Sequence, residues 1–182
     1  MKRELVGLAL AGVLFGVPAG RAEAQTYVTP FVGGAFGGST DDTKLTFGGN
    51  LSFLGSGVVG FGLDFGYTKD FFGDGFDNNN VTTLMGNIIF ATPGHPRVYA
   101  SGGVGLLKTR VSSASRFLDV SDNDWGMNVG AGFYLVGDGK IGLNGDIRYI
   151  RRLTDPEPDG EFDLDLGSLK YWRATAGVTF KF

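Results

Sequence analysis

The sequence predicts an all-β fold, an eight-stranded antiparallel transmembrane up-and-down β-barrel. Three observations lead there. Beyond residue 24, apolar and polar residues alternate with period two in eight segments of near-even spacing, the pattern of strands with two unlike faces. The composition is glycine-rich and aromatic-rich, with 32 glycines and 16 phenylalanines in 182 residues, which suits neither a helical core nor a disordered chain. No segment after residue 24 is apolar enough for a transmembrane helix, while each alternating segment has about the ~10 residues a tilted membrane strand needs.

Residues 1–24 are read as a signal peptide, separate from the barrel domain expected over 25–182. Lys2 and Arg3 form a basic start, the run from Leu5 to Val17 is apolar but too short to span a bilayer, and "AEA" before Gln25 is a small-x-small cleavage pattern. Cleavage after Ala24 leaves 13 basic and 17 acidic residues, a charge of −4. No basic stripe marks a nucleic-acid surface. The absence of cysteine removes disulfides, thiolate metal sites and thiol nucleophiles, and no cofactor is expected.

The strands follow in order. The first, 26–36, carries most of "YVTPFVGGAFGG"; the second spans 44–54. The third, 58–69, sets Val59, Phe61, Leu63, Phe65 and Tyr67 against Gly60, Gly62, Asp64 and Gly66. The fourth is 81–91, with "VTTLMGNIIF", and the fifth is 97–110, with "RVYASGGVGL". The sixth, 124–136, opposes Trp125, Met127, Val129, Ala131, Phe133 and Leu135 to Gly126, Asn128, Gly130, Gly132 and Tyr134. In the seventh, 140–152, Ile141, Leu143, Ile147 and Tyr149 oppose Asn144, Asp146 and Arg148. The eighth, 169–182, sets Trp172, Ala174, Ala176, Val178, Phe180 and Phe182 against Arg173, Thr175, Gly177, Thr179 and Lys181.

The polar face decides the class. It consists mostly of Gly, Asn, Thr and Ser with a few charges, too small for a water-facing surface. Eight strands enclose a lumen only just wide enough for side chains, and the Phe-rich stripes would overfill it. The bulky face therefore points to lipid and the small polar face to the lumen. A soluble lipocalin-like barrel, with the faces reversed, is the alternative. Connections after strands two, four and six are short ("LGSG", "TPGHP", "VGDG") and the others long, which predicts periplasmic short turns, external loops and both termini in the periplasm.

The ordered set "YVTPFVGGAFGG", "VTTLMGNIIF", "RVYASGGVGL" and a terminal Phe resembles the outer-membrane β-barrel domain family, the OmpA- and OmpX-like barrels. The resemblance covers about residues 25–182 and implies folding by the outer-membrane barrel assembly machinery. There the C-terminal aromatics Phe182 and Phe180 would serve as the assembly signal. OmpA itself carries a peptidoglycan-binding domain, and this chain is expected to lack wall anchoring. The fold also hosts lipid A-modifying enzymes that use His with Ser and an acid. The single histidine, His95, lies in "TPGHP", a predicted periplasmic turn far from the outer leaflet, so no catalytic residues are expected.

Charged residues supply the remaining candidates. Asp64, Asp146, Arg148 and Arg173 fall on the lumen face and are expected to pair, because a buried unpaired charge costs several kcal/mol. An ionic plug is the favoured reading over a gated conduction path. Lys44, Lys69, Lys108, Arg110, Arg151, Arg152 and Lys170 lie near the outer strand ends. They would contact lipopolysaccharide phosphates or simply snorkel to the interface; both readings put them in one headgroup layer. Trp125, Tyr67 and Trp172 would form the outer aromatic belt, and Phe53, Phe90, Phe180 and Phe182 the inner one. Acids gather in the long loops, including Asp70, Asp74, Asp77, Asp155, Glu157, Asp159, Glu161, Asp163 and Asp165. "DFFGDGFDNNN" lacks calcium-loop spacing, and no metal site is expected. The expectation is a monomeric integral outer-membrane protein with a structural or surface-interaction role and no wide pore. Its partners would be outer-membrane lipid and lipopolysaccharide, the ligand of its loops being open. A lipid A-modifying enzyme and a small channel are the alternatives.

Overall fold

The computed structural model describes residues 25–40, 42–55, 58–71, 78–112, 119–137, 139–153 and 169–182. Eight strands run in chain order: β1 (Gln25–Phe36), β2 (Lys44–Gly55), β3 (Val59–Lys69), β4 (Asn78–Ala91), β5 (Arg97–Ser112), β6 (Asp119–Leu135), β7 (Ile141–Arg152) and β8 (Lys170–Lys181). Each pairs antiparallel with its sequence neighbours, and β8 pairs with β1 to close the barrel. The fold is the one the alternation predicts. Three ends reach further by two residues or more: β4 begins at Asn78, β5 runs to Ser112 and β6 begins at Asp119. Apart from Val111 and Val120 these added stretches are polar, so they show no alternation in sequence. Their pairing, Asn78 with Ser112 and Ser112 with Asp119, comes from the ladder itself.

The two faces separate as expected. Along β3 exposure alternates, with Phe61, Leu63 and Phe65 out and Gly62, Asp64 and Gly66 in. The same parity puts Trp125, Val129 and Phe133 of β6 outside and Asn128 and Tyr134 inside. The exposed apolar residues form the girdle that faces hydrocarbon.

The lumen departs from the expectation of a small polar filling. A buried apolar cluster lies at each end. At the long-loop end Phe71, Met85, Leu107, Ile150 and Tyr171 pack together. At the short-turn end Tyr27, Leu54, Ile89, Tyr99 and Tyr134 do so. Between them lie the buried charges Asp64, Asp146, Arg148 and Arg173.

Closure depends on the β1–β8 seam. Thr26 and Phe182 exchange backbone hydrogen bonds, Phe182 N–H to Thr26 O at 2.9 Å and Thr26 N–H to Phe182 O at 3.3 Å. Even-numbered residues of β1 therefore direct their N–H groups at β8. Pro30 falls in that series and has no N–H to give. The β1–β8 register accordingly passes from Val28–Phe180 to Phe31–Gly177, skipping Thr29 and Pro30. Proline in a sheet is confined to sites where its missing donor is tolerated, and here it weakens the seam of a closed wall.

Two outcomes follow. Pro30→Val restores a donor opposite Val178 and should raise the urea midpoint of the heat-modifiable form, by about 1 kcal/mol of stability; a lowered midpoint contradicts this account. Deleting Phe182 removes the terminal pair of the seam and should reduce the yield of heat-modifiable barrel in membranes.

Candidate functional site

The middle layer of the lumen gathers charged side chains from three strands. Asp64 of β3 accepts a hydrogen bond from Arg173 Nη2 of β8 at 2.6 Å, across 109 residues of sequence. Its other oxygen lies 4.0 Å from Arg148 Nη1 of β7. Arg148 Nε donates to Asp146 Oδ1 at 2.8 Å, and Tyr99 O–H donates to Asp146 Oδ2 at 2.7 Å. Asn128 Oδ1 accepts from Arg148 Nη1 at 3.2 Å. The four lumen residues singled out in the sequence thus form one connected cluster. Arg148 and Arg173 are direct cross-strand neighbours. Like charges so placed repel, and Asp64 reaches both of them from the far wall. The Arg173 guanidinium also lies 4.9 Å from the centroid of the Phe31 ring, a cation–π contact. Gly66 leaves the space it occupies, since a Cβ there would collide with Arg173 Nη1.

The lumen holds two charged groups that sequence reasoning missed. Arg97 donates to Gln25 Oε1 at 2.7 Å and to the Tyr27 hydroxyl oxygen at 2.8 Å. Beside it Tyr27, Tyr134 and Tyr99 stack in sequence, each adjacent pair of ring centroids 4.8 Å apart. Arg152 Nη2 lies 2.7 Å from Asp124 Oδ1, both nearly buried. Parity was the available signal. Arg97 shares its face with Tyr99, and Arg152 lies four residues from Arg148 on the same face.

The rim is correspondingly smaller than expected. Arg152 does not belong to it: it turns inward, and its neighbour Arg151 is the one exposed outside. Lys44 shares the lumen-side parity of Thr46 and Ser52 and is half-buried at the mouth. Lys69, Lys108, Arg110, Arg151 and Lys170 remain on the outward parity at the long-loop ends of their strands. Lys69 Nζ is 3.6 Å from Asp70, an exposed pair. Arg151 and Lys170 face each other across β7 and β8. Below them the Tyr149 and Trp172 rings are 5.3 Å apart, and Phe47 and Tyr67 make a similar pair at 5.2 Å. His95 is exposed in the turn between β4 and β5. Asp74, Asp77, Asp155, Glu157, Asp159, Glu161, Asp163 and Asp165 lie outside the described residues.

An apolar girdle around a closed ladder, with an ionic layer inside, defines a transmembrane β-barrel. The family model for the outer membrane protein β-barrel domain matches residues 7–182, and the chain belongs to that family. It is accordingly a protein of the outer membrane. Solved structures with this fold include Neisserial surface protein A, at 15% identity and TM-score 0.65, covering 86% of this chain and 97% of that one. OprG from Pseudomonas aeruginosa matches at 12% identity and TM-score 0.57, covering 90% of this chain and 98% of that one. Ail of Yersinia pestis, in complex with the heparin analogue sucrose octasulfate, matches at 15% identity and TM-score 0.54, covering 87% and 99%. At these identities the likeness is one of fold. No curated protein matches the sequence at a significant level.

Asp64 is the shared partner of two buried guanidinium groups. Asp64→Ala leaves both with less compensation and should cost about 3–5 kcal/mol, read as a lower urea midpoint in refolded protein. An unchanged midpoint contradicts the assignment of Asp64 as the hub.

Proposed function

We propose that the protein is a non-catalytic, monomeric surface barrel of the outer membrane that sits in the lipopolysaccharide leaflet and carries its acidic loops to the exterior. One observation carries the reading. Five cations, Lys69, Lys108, Arg110, Arg151 and Lys170, stand on the outward parity of the strands at the long-loop end. The same face bears no charged residue at the short-turn end, where Val28, Phe53, Val59, Phe90, Val98, Ile141 and Phe180 stand. Snorkelling alone places cations at either interface. A one-sided band suits a leaflet whose headgroups carry dense phosphate, for which Arg and Lys are the natural partners.

This orientation puts the long loops outside and the short turns and both termini in the periplasm, with residues 1–24 as a cleaved export signal and 25–182 as the barrel. Phe182 and Phe180, on the last strand, are then positioned to be read by the barrel assembly machinery. The two apolar clusters and the ionic layer between them support a plugged lumen without a wide pore. An exposed His95 in a short turn supports a non-enzymatic role.

The absence of native cysteine makes orientation directly testable. In intact cells a membrane-impermeant maleimide should label Asp42→Cys, in the β1–β2 connection, and spare Gly139→Cys, in the β6–β7 turn. The opposite pattern overturns the orientation. Lipopolysaccharide should co-purify with the barrel and be lost when all five outward cations are replaced by Gln; retention overturns the leaflet assignment. Planar-bilayer recordings should show no discrete conductance steps.

A further inference from the structure

The outward cations are not equivalent. Lys69 has Asp70 beside it, and Lys108 and Arg110 are successive outward residues of one strand with Leu106 and Val104 beneath them. Arg151 and Lys170 instead occupy directly opposed positions on β7 and β8, both exposed. Opposed like charges destabilise a strand pair, and among the described residues no carboxylate pairs with either. An anion seated between them converts that repulsion into two charge-assisted contacts.

The wall below this pair continues the pattern. The Tyr149–Trp172 rings come first, at the level where aromatic side chains meet headgroups. Next are Ile147–Ala174 and Gly145–Ala176, two cross-strand pairs whose β8 members are small. At this level the outer wall is indented by a groove of about 600 Å³, lined by Val32, Phe133, Leu143, Gly145, Ala176 and Val178 among others. Gly145 lets the Phe133 ring, part of the groove wall, lie over its backbone: a Cβ there would fall 2.6 Å from that ring. Because the groove opens in the lipid-facing girdle, hydrocarbon is what meets it.

The spacing joins the two features. From Lys170 to Ala176 the strand advances six residues, about 20 Å at the usual rise. With the ~40° tilt of membrane strands that is roughly 15 Å of depth, half of a ~30 Å hydrocarbon core. The groove thus lies one leaflet below the cations, where an acyl chain anchored at Arg151 and Lys170 ends.

We infer that the β7–β8–β1 wall is a specific site for one lipid A-type glycolipid of the outer leaflet, with a sugar phosphate held between Arg151 and Lys170 and an acyl chain lying over Trp172 into the groove at Gly145 and Ala176. This rests on the orientation and leaflet of the preceding reading and adds to it a single place on the wall.

The test uses the full barrel refolded in lipopolysaccharide-free detergent and titrated with lipid A, with bound lipid counted by native mass spectrometry. Wild type should retain one lipid A per barrel. Arg151→Gln with Lys170→Gln, and separately Gly145→Leu with Ala176→Leu, should each weaken retention about tenfold or more, the scale of one lost charge-assisted contact. Lys140→Gln, which removes an exposed cation at the short-turn end, should leave it within about twofold. Heat-modifiability serves as the fold control. Should the groove variant not fold, wild type supplies the second measurement: lipid A brominated on the headgroup-proximal part of its acyl chains, where they cross Trp172, should quench tryptophan fluorescence more strongly than phosphatidylglycerol brominated at the same depth. Equal quenching overturns the inference. So does equal weakening by all variants, which indicates diffuse attraction, or insensitivity to the Arg151–Lys170 change, which indicates that loop carboxylates neutralise the pair. Equal competition by phosphatidylglycerol overturns it as well, as does a dimer mass abolished by filling the groove, which makes a second copy the occupant. No lipid A binding by wild type defeats the leaflet reading itself, whereas binding that ignores these residues defeats only this site.

Discussion

The structure depends on one constraint: in hydrocarbon, every backbone N–H and C=O must find its partner within the protein. A sheet meets that condition only by closing on itself. Eight strands in neighbour order achieve closure with β1 against β8, and other features are consequences. The narrow lumen follows from the strand number, the apolar girdle from the outward half of each pleat, and the inward half must fill what remains. Pro30 is the exception that shows the rule at work, because it removes a donor from the closing ladder at the one joint where first and last strands meet.

Filling a narrow lumen creates its own electrostatic problem. Three arginines on β7 and β8, Arg148, Arg152 and Arg173, share a face and cannot avoid one another by moving into solvent. The solution is layered. Asp146 and Asp64 neutralise the middle, Asp124 takes Arg152 nearer the loops, and tyrosines with a glutamine receive Arg97 at the other end. Apolar clusters lie at both ends of this column, and in the low dielectric they help create, its ion pairs strengthen and unpaired partners become costly. The lumen is therefore both a filler and a brace joining strands distant in sequence.

The outer wall obeys a different logic. There the solvent is layered too, and side chains sort by depth into cations, aromatics and aliphatics. On the outward parity of the strands the described cations stand at the long-loop end, which makes the outer wall electrically asymmetric along its axis, and small residues on β7 and β8 make it asymmetric around its circumference. The first asymmetry was visible in the sequence, since the basic residues sit beside the long connections. The second was not: Gly145, Ala176 and Val32 are far apart in the chain, and only the closed register aligns them.

The sequence alone determined the strands and their faces, because the pleat repeats every two residues and each face meets a different solvent. It therefore contained the fold, the girdle and the inward placement of Asp64, Asp146, Arg148 and Arg173. Arg152 and Lys44 leave the expected rim because parity, not nearness to a strand end, sets the face a side chain meets. The polar extensions of β4, β5 and β6 were illegible because no apolar alternation marks them. Tertiary structure alone decided which inward residues meet. Parity says that a side chain enters the lumen, but its height and azimuth depend on the register of every hairpin around the ring. Only that accumulated register brings Asp64 to Arg173, Asp124 to Arg152 and the three tyrosines into a stack.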